Sequence, residues 1–242
     1  MTALRSTLFN AAVFVASWTV IIAAVPTLLG SRRATMRFAQ AWARVVVTLL
    51  RRICGIRVEV RGMEHVPAGA CVIAAKHQSA FDTIIWHALL PDAAYVLKAE
   101  LLRIPLFGPL ARHAEMIPVD RAGGGGALRR MLRAAEAALA KGRQVVIFPE
   151  GTRTAPGERV PYQPGVLAIA AATDAPVVPV ATDSGRLWGR RAFLKHPGVI
   201  RIVVMPPLPA GLGRAALHKA LETAIEEESA RLLAEPVDKL VH

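Results

Sequence analysis

"VIAAKHQSAFDTIIWHALL" (residues 72–90) passes from an apolar run through a polar corner into a second apolar pattern. With Cys71 added, its first part reads as a buried strand, and the stretch 80–90 reads as a helix. Lys76, His77, Gln78 and Ser79 make the corner, and Asp82 follows His77 by five positions. A strand that feeds straight into a helix is half of an α/β unit, and the rest of the chain repeats the theme. "IRVEV" (56–60), "CVIAA" (71–75), "AYVL" (94–97), "EMIPV" (115–119), "QVVIF" (144–148), "VVPVA" (177–181) and "VIRIVVM" (199–205) read as strands. Helical stretches 80–90, 127–141 and 165–173 lie between them, and a last one, 213–234, carries Leu217, Leu221 and Ile225 on one face. The alternation predicts an α/β sandwich, a largely buried mixed sheet with helices on both faces. The glycine run 123–126 reads as a flexible loop before a helix, since the spacing and Lys of a phosphate-binding P-loop are absent.

Two groups of polar residues stand at strand ends. Ser79 is placed to cap the helix, which puts Asp82 at its third position as the reaching-back member of an S-x-x-D capping box. Asp82 therefore has a purely structural explanation. His77 has none, because a cap does not need it and a corner after a strand is not a core position. The carboxylate that reaches back meets the imidazole, sets its tautomer and stabilises its protonated form. The other ring nitrogen then faces outward as a general base. No Ser or Cys nucleophile accompanies the pair: Ser79 is taken by the cap, and no G-x-S-x-G is present. The nucleophile is then a hydroxyl of the substrate. The second group follows the strand of "VVIFPEGTRTAPGERVPYQPG" (145–165), where Glu150, Gly151, Thr152 and Arg153 stand at its C-terminal end. Sites in open α/β sheets collect at such ends. Gly151 permits a tight turn, and Arg153 offers a two-pronged fork for phosphate or carboxylate.

Composition narrows the partners. The 242 residues suit one large domain, or one domain with an appendage. They are 53% hydrophobic and carry a formal charge of +12. A basic balance admits nucleic acid, anionic lipid or a phosphorylated small molecule. Seven Phe and two Tyr offer little for stacking bases, and no nucleic-acid-binding motif is present. Cys54 and Cys71 lack metal-ligand spacing and read as reduced thiols of a cytosol-facing protein.

Residues 8–29 form 22 positions without a charge. As a helix they cover roughly 33 Å, enough to cross a hydrocarbon core. Arg5 before the run and Arg32, Arg33 and Arg37 after it leave its orientation open. A signal peptide is disfavoured by the length of the run and the lack of a small-residue cleavage site. The next stretch is amphipathic: Arg37, Arg44 and Arg51 share one face, with Phe38, Trp42, Val46, Leu49 and Ile53 opposite. Two readings stand side by side, a helix in a membrane interface and a helix packing its apolar face on the domain. Eight arginines precede Glu59, the first acidic residue, which favours an anionic lipid surface. Residues 1–55 are thus expected to anchor the chain and 56–242 to form the working domain.

The ordered set of motifs resembles the bacterial 1-acyl-glycerol-3-phosphate acyltransferases of the glycerolipid acyltransferase family. "HQSAFD" (77–82) resembles the H-x-x-x-x-D block, "KAELLRIPLFG" (98–108) the second stretch and "MIPVDR" (116–121) the next. "FPEGTR" (148–153) resembles the E-G-T-R block and "APVVPVA" (175–181) the last. The resemblance runs over roughly 56–210, and the N-terminal hydrophobic pair resembles the family's two-helix membrane motif. It implies acyl transfer from an acyl thioester, acyl-CoA or acyl-carrier protein, to the sn-2 hydroxyl of lysophosphatidic acid, giving phosphatidic acid. His77 and Asp82 would form the general base. Lys98 and Arg153 would hold the acceptor phosphate, Glu150, Gly151 and Thr152 would shape its pocket, and Arg121 would add an anion contact. No metal or cofactor is implied beyond the thioester co-substrate. The implied location is the cytoplasmic face of the inner (cell) membrane. Lys76 stands where many members carry Asn, and Gln163 and Pro164 stand where a basic residue often precedes the Gly at 165; both departures bear on acceptor identity. The alternatives are an acyltransferase for another lyso-lipid, such as a lyso-ornithine lipid or a lysophospholipid, and a basic membrane-binding scaffold with a dead site.

Overall fold

The computed structural model describes residues 1–120 and 124–236. Seven strands form one sheet in the order β1-β7-β6-β2-β5-β3-β4. They are β1 (Ile56–Arg61), β2 (Cys71–Ala75), β3 (Ala93–Lys98), β4 (Ile117–Val119), β5 (Gln144–Ile147), β6 (Val177–Thr182) and β7 (Gly198–Val204). Every pairing is parallel except β6 with β7, so the sheet is mixed. Every residue of β2, β5 and β6 is buried, which is why those segments read as unbroken apolar runs and not as alternations.

The helices are α1 (Thr2–Ala24), α2 (Arg32–Cys54), α3 (Asp82–Leu89), α4 (Phe107–His113), α5 (Gly124–Ala140), α6 (Gly165–Ala172) and α7 (Arg214–Ala234). Strand alternation splits the core in two. Cys71, Ile73 and Ala75 point into a core shared with α1, α2 and α3, where Phe9, Val46, Leu50, Ile84 and Trp86 are buried. Val72 and Ala74 point into the opposite core, with Met131 and Ala135 of α5, Val166 and Ile169 of α6, and Leu217, Leu221 and Ile225 of α7. Helices cover both faces, as the sequence pattern requires.

Several boundaries differ from expectation. The uncharged run is not one helix over 8–29: α1 ends at Ala24, and residues 25–29 form a short 3-10 turn containing Pro26. Proline lacks the donor a continuing helix needs and crowds the preceding turn. Within the glycine run, Gly124–Gly126 are not a loop but the first turn of α5, and Gly123 lies outside the described residues. Burial of Ala127, Met131 and Ala135 along one face extends the helix back over residues with little propensity of their own. Helix α4 was not among the expected elements; Gly108 and Pro109 in its first turn are residues that ordinarily mark loops.

Of the two readings of α2, the structure shows packing on the domain. Met36, Ala43, Val46, Leu50 and Cys54 are its buried apolar residues, a stripe rotated from the expected one. Phe38, Trp42 and Leu49 are half-buried, and Trp42 Nε1 donates to Ser17 Oγ of α1 at 2.9 Å. The helix is wedged between α1 and the domain, so two flanks are covered while Arg37, Arg44 and Arg51 remain exposed. Arg32 ties its start to the body through a bidentate pair with Asp92, both contacts at 2.7 Å. Together with the turn that follows it, α1 makes a helical run, Thr2–Leu29, long and apolar enough to cross a membrane by length and composition. Leu4, Leu8, Phe14, Val15, Trp18 and Ile22 on it are exposed. Its N-terminal half is nonetheless docked: Phe9 meets Trp188 edge-on, and Lys195 reaches Asn10 Oδ1 at 2.6 Å.

Candidate active site

The parallel register of β2 with β5 pairs Ala74 with Ile147. Three residues beyond that pair the chains reach His77 and Glu150, so the two polar groups found in the sequence emerge side by side. They are stitched together. Thr154 N donates to His77 O at 2.8 Å, its hydroxyl donates to the same oxygen at 3.2 Å, and His77 N points at Glu150 Oε1 at 3.4 Å. Phe148 stacks on the imidazole with ring centres 4.1 Å apart. These contacts correct the expectation of an open corner: His77 is buried, because the segment after β5 folds over it.

Asp82 makes the contact with His77. Its Oδ2 lies 3.2 Å from His77 Nδ1 and accepts from Gln78 N at 2.7 Å and Ser79 N at 2.8 Å. Two backbone amides and the imidazole converge on this one oxygen and hold the carboxylate without freedom to turn. The capping box is only half formed. Ser79 does not cap the helix; its hydroxyl accepts from Phe81 N at 3.1 Å, and α3 begins at Asp82 with no side-chain cap. The carboxylate gathers the amides of Gln78 and Ser79 into a tight loop, which delays the first helical turn. The ring contact of His77 is made through Nδ1, and the side chain keeps 10% of its surface open. The imidazole is thus fixed at one nitrogen.

Glu150 is buried, and its second oxygen has no partner among the described residues. Burial pushes its carboxyl up to about 7, against the pull of Lys76. Gly151 turns the chain at φ 66°, and a side chain there would meet Gln163 at 2.9 Å. Both facts require glycine. Thr152 and Arg153 follow, half-buried. Lys98, exposed, ends β3, which lies beside β5 in a register that pairs Tyr95 with Val146. Lys98, Arg153 and the His77–Asp82 pair thus share the C-terminal edge of three neighbouring strands. Arg121 lies outside the described residues.

Lys76 departs from expectation. Strand alternation sends it to the face opposite His77, where it is buried against α7 and away from any acceptor on the imidazole side. Its Nζ lies 2.6 Å from Glu226 Oε1 and 3.2 Å from Glu150 Oε1. Tyr162 donates its hydroxyl to Glu226 Oε1 at 2.8 Å. Sequence reasoning missed this cluster and the Phe148 stack. The period of two already placed Lys76 on the other face, but no local signal pointed to Glu226, 150 residues on.

Comparison with known proteins bears on the whole arrangement. Residues 57–183 match the family model described as Acyltransferase. A 1-acyl-sn-glycerol-3-phosphate acyltransferase of Pseudomonas aeruginosa is 37% identical over 205 residues, 83% of this chain and 80% of that protein. The human 1-acyl-sn-glycerol-3-phosphate acyltransferase alpha is 31% identical over 169 residues, 69% of this chain and 60% of that protein. A crystal structure of a 1-acyl-sn-glycerophosphate (LPA) acyltransferase from Thermotoga maritima superposes with a TM-score of 0.80 at 22% identity, covering 98% of this chain and 99% of that one. This last likeness concerns the fold.

Proposed function

The chain belongs to the acyltransferase family, and on that footing we propose that it acylates the sn-2 hydroxyl of 1-acyl-glycerol-3-phosphate to give phosphatidic acid. The donor is an acyl thioester, acyl-CoA or acyl-carrier protein, and no metal or further cofactor takes part. The observation that carries this reading is the imidazole of His77, held through Nδ1 by a fixed carboxylate and still partly open to the surface. Nε2 removes the proton of the acceptor hydroxyl as its oxygen attacks the thioester carbonyl. Asp82 stabilises the imidazolium that forms. The tetrahedral intermediate collapses, the C–S bond breaks, and the thiolate leaves with the proton that His77 returns. No acyl-enzyme is needed, because the acceptor supplies the nucleophile. Arg153 and Lys98, on the strand edge beside the imidazole, take the acceptor's phosphate, with Arg121 as a further anion contact. Glu150, Gly151 and Thr152 shape the turn that presents Arg153.

The acceptor carries an acyl chain and resides in a bilayer, so the site must sit at its surface. The exposed apolar side of α1 and the exposed Arg37, Arg44 and Arg51 of α2 support a seat on an anionic membrane. We assign that seat to the cytoplasmic face of the inner membrane, where thioester donors are made. The test is transfer by purified protein in mixed micelles, with lysophosphatidic acid compared against other lyso-lipids and acyl-CoA against acyl-carrier protein. Phosphatidic acid formed by the native protein and not by His77→Ala is expected. Preference for another lyso-lipid would replace the acceptor, and undiminished transfer by His77→Ala would overturn the mechanism.

A further inference from the structure

The site described so far lies within the family-matching segment, 57–183. The buried cluster behind it reaches beyond that segment, to Glu226 of α7. Lys76 sits one residue before the base and faces away from it, with its side chain only 1% exposed. Its ammonium lies between two carboxylates, Glu226 Oε1 at 2.6 Å and Glu150 Oε1 at 3.2 Å, and is 3.4 Å from the carbonyl of Glu158. Glu226 also takes the hydroxyl of Tyr162 and stands 3.9 Å from Arg159 Nε. Glu150 Oε1, held by Lys76 on one side, faces the backbone N–H of His77 on the other. A chain of contacts therefore runs from α7 through Glu226, Lys76 and Glu150 to the backbone that carries the imidazole. The residue after Glu150 begins the turn that presents Arg153.

We propose that Lys76 and Glu226 are positioning residues of the transfer reaction: Glu226 of α7 holds the Lys76 ammonium against Glu150, which sets the spacing between His77 and the Glu150–Arg153 turn. The inference rests on the functional reading above. A buried ammonium needs its counter-charges, and removing one partner leaves an uncompensated charge that displaces its neighbours. Here the neighbour is Glu150, and displacement of about 1 Å at a reacting geometry is enough to cost up to about 100-fold in rate. The cluster also accounts for a lysine where the resemblance leads one to expect Asn: α7 supplies its counter-charge from outside the matching segment.

The test uses the full-length protein and five variants. Glu226→Asp keeps the charge but withdraws the carboxylate by one methylene. It is expected to fold with an unchanged unfolding midpoint, while kcat falls about 10- to 100-fold and acceptor KM rises. Donor KM is expected to stay constant. A buried pair with only a stabilising role would leave kcat and both KM values of folded Glu226→Asp at their native values, and that result overturns the proposal. Lys76→Asn takes the counter-charge from both Glu226 and Glu150, whereas Glu226→Gln leaves Lys76 with Glu150 alone. Because Glu226 acts through Lys76, the double variant Lys76→Asn/Glu226→Gln is expected to lose no more activity than Lys76→Asn alone, and losses that multiply in the double variant overturn the coupling. His77→Ala, assayed beside them, separates the two readings. If it remains active the general-base mechanism fails, whereas an inactive His77→Ala with a native-like Glu226→Asp sinks only the positioning role.

Discussion

Asp82 performs two tasks that substitution can separate. Its Oδ2 serves the buried amides of Gln78 and Ser79 as well as the imidazole. Asp82→Ala removes the acceptor from both amides, and each buried donor left unpaired costs about 1–3 kcal/mol. The expected loss of stability is therefore about 2–6 kcal/mol, a large share of a typical domain's total. Asp82→Asn leaves one carbonyl oxygen for the same two amides, so it should cost no more than about 1–2 kcal/mol. Catalysis ranks the variants differently. Both lose the charge that stabilises the imidazolium, and both should lose about 10²–10⁴-fold in kcat, equivalent to about 3–5 kcal/mol of barrier. Denaturant unfolding in detergent reads the first quantity and single-turnover transfer from a radiolabelled donor reads the second. Native turnover in a folded Asp82→Asn would refute the role of the carboxylate charge. An Asp82→Ala protein as stable as the native one would show that the loop does not depend on it.

The pH dependence of stability should show two buried groups of opposite sign. Glu150, raised from 4.5 to about 7 by burial, binds its proton more tightly when folded, so it subtracts stability as pH rises through that window. His87, lowered from 6.5 to about 4 by burial and by Arg143, stays neutral when folded, so it subtracts stability as pH falls below 6.5. Each contributes a slope of about 1.4 kcal/mol per pH unit, and the two offset between about pH 5 and 6.5. Glu150→Gln should expose the histidine slope and His87→Phe the carboxyl slope; identical profiles in all three proteins would contradict both placements. Arg153→Ala and Lys98→Ala should raise acceptor KM about 10- to 100-fold with little change in donor KM, the scale of a lost charge-assisted hydrogen bond. Initial rates with each substrate varied in turn decide this, and a raised donor KM alone would reassign the pair. Removing residues 1–55 takes Phe9, Val46 and Leu50 out of the core and uncovers their partners, at roughly 1.5–3 kcal/mol for each side chain. The remainder should bind hydrophobic dyes and lack a cooperative unfolding transition; a cooperatively folding fragment would show the helical pair to be dispensable.

Much of this protein was legible in its sequence because the signals involved are local. All seven strands fell where apolar runs end at turn residues. The inward face of α7 followed from Leu217, Leu221 and Ile225 at helical spacing. The contact of His77 with Asp82 spans five residues, a distance that one tight loop closes, and Gly151 marked its own turn. The tertiary structure decided what depends on distant partners. Seven apolar strands do not by themselves say that β7 runs antiparallel beside β6, or that β2 lies between β6 and β5. Nor does a corner histidine reveal that Phe148 and Thr154 will close over it. The two faces of α2 were visible, but whether lipid or α1 and the domain would cover the apolar one was not, since burial satisfies either. Lys76 shows the division most plainly. Its face was set by the period of the strand, but its counter-charge lies on α7, 150 residues away. Backbone geometry and apolar periodicity act over a turn or two, whereas the partner of a buried charge is whatever the packed chain brings within about 3 Å of it.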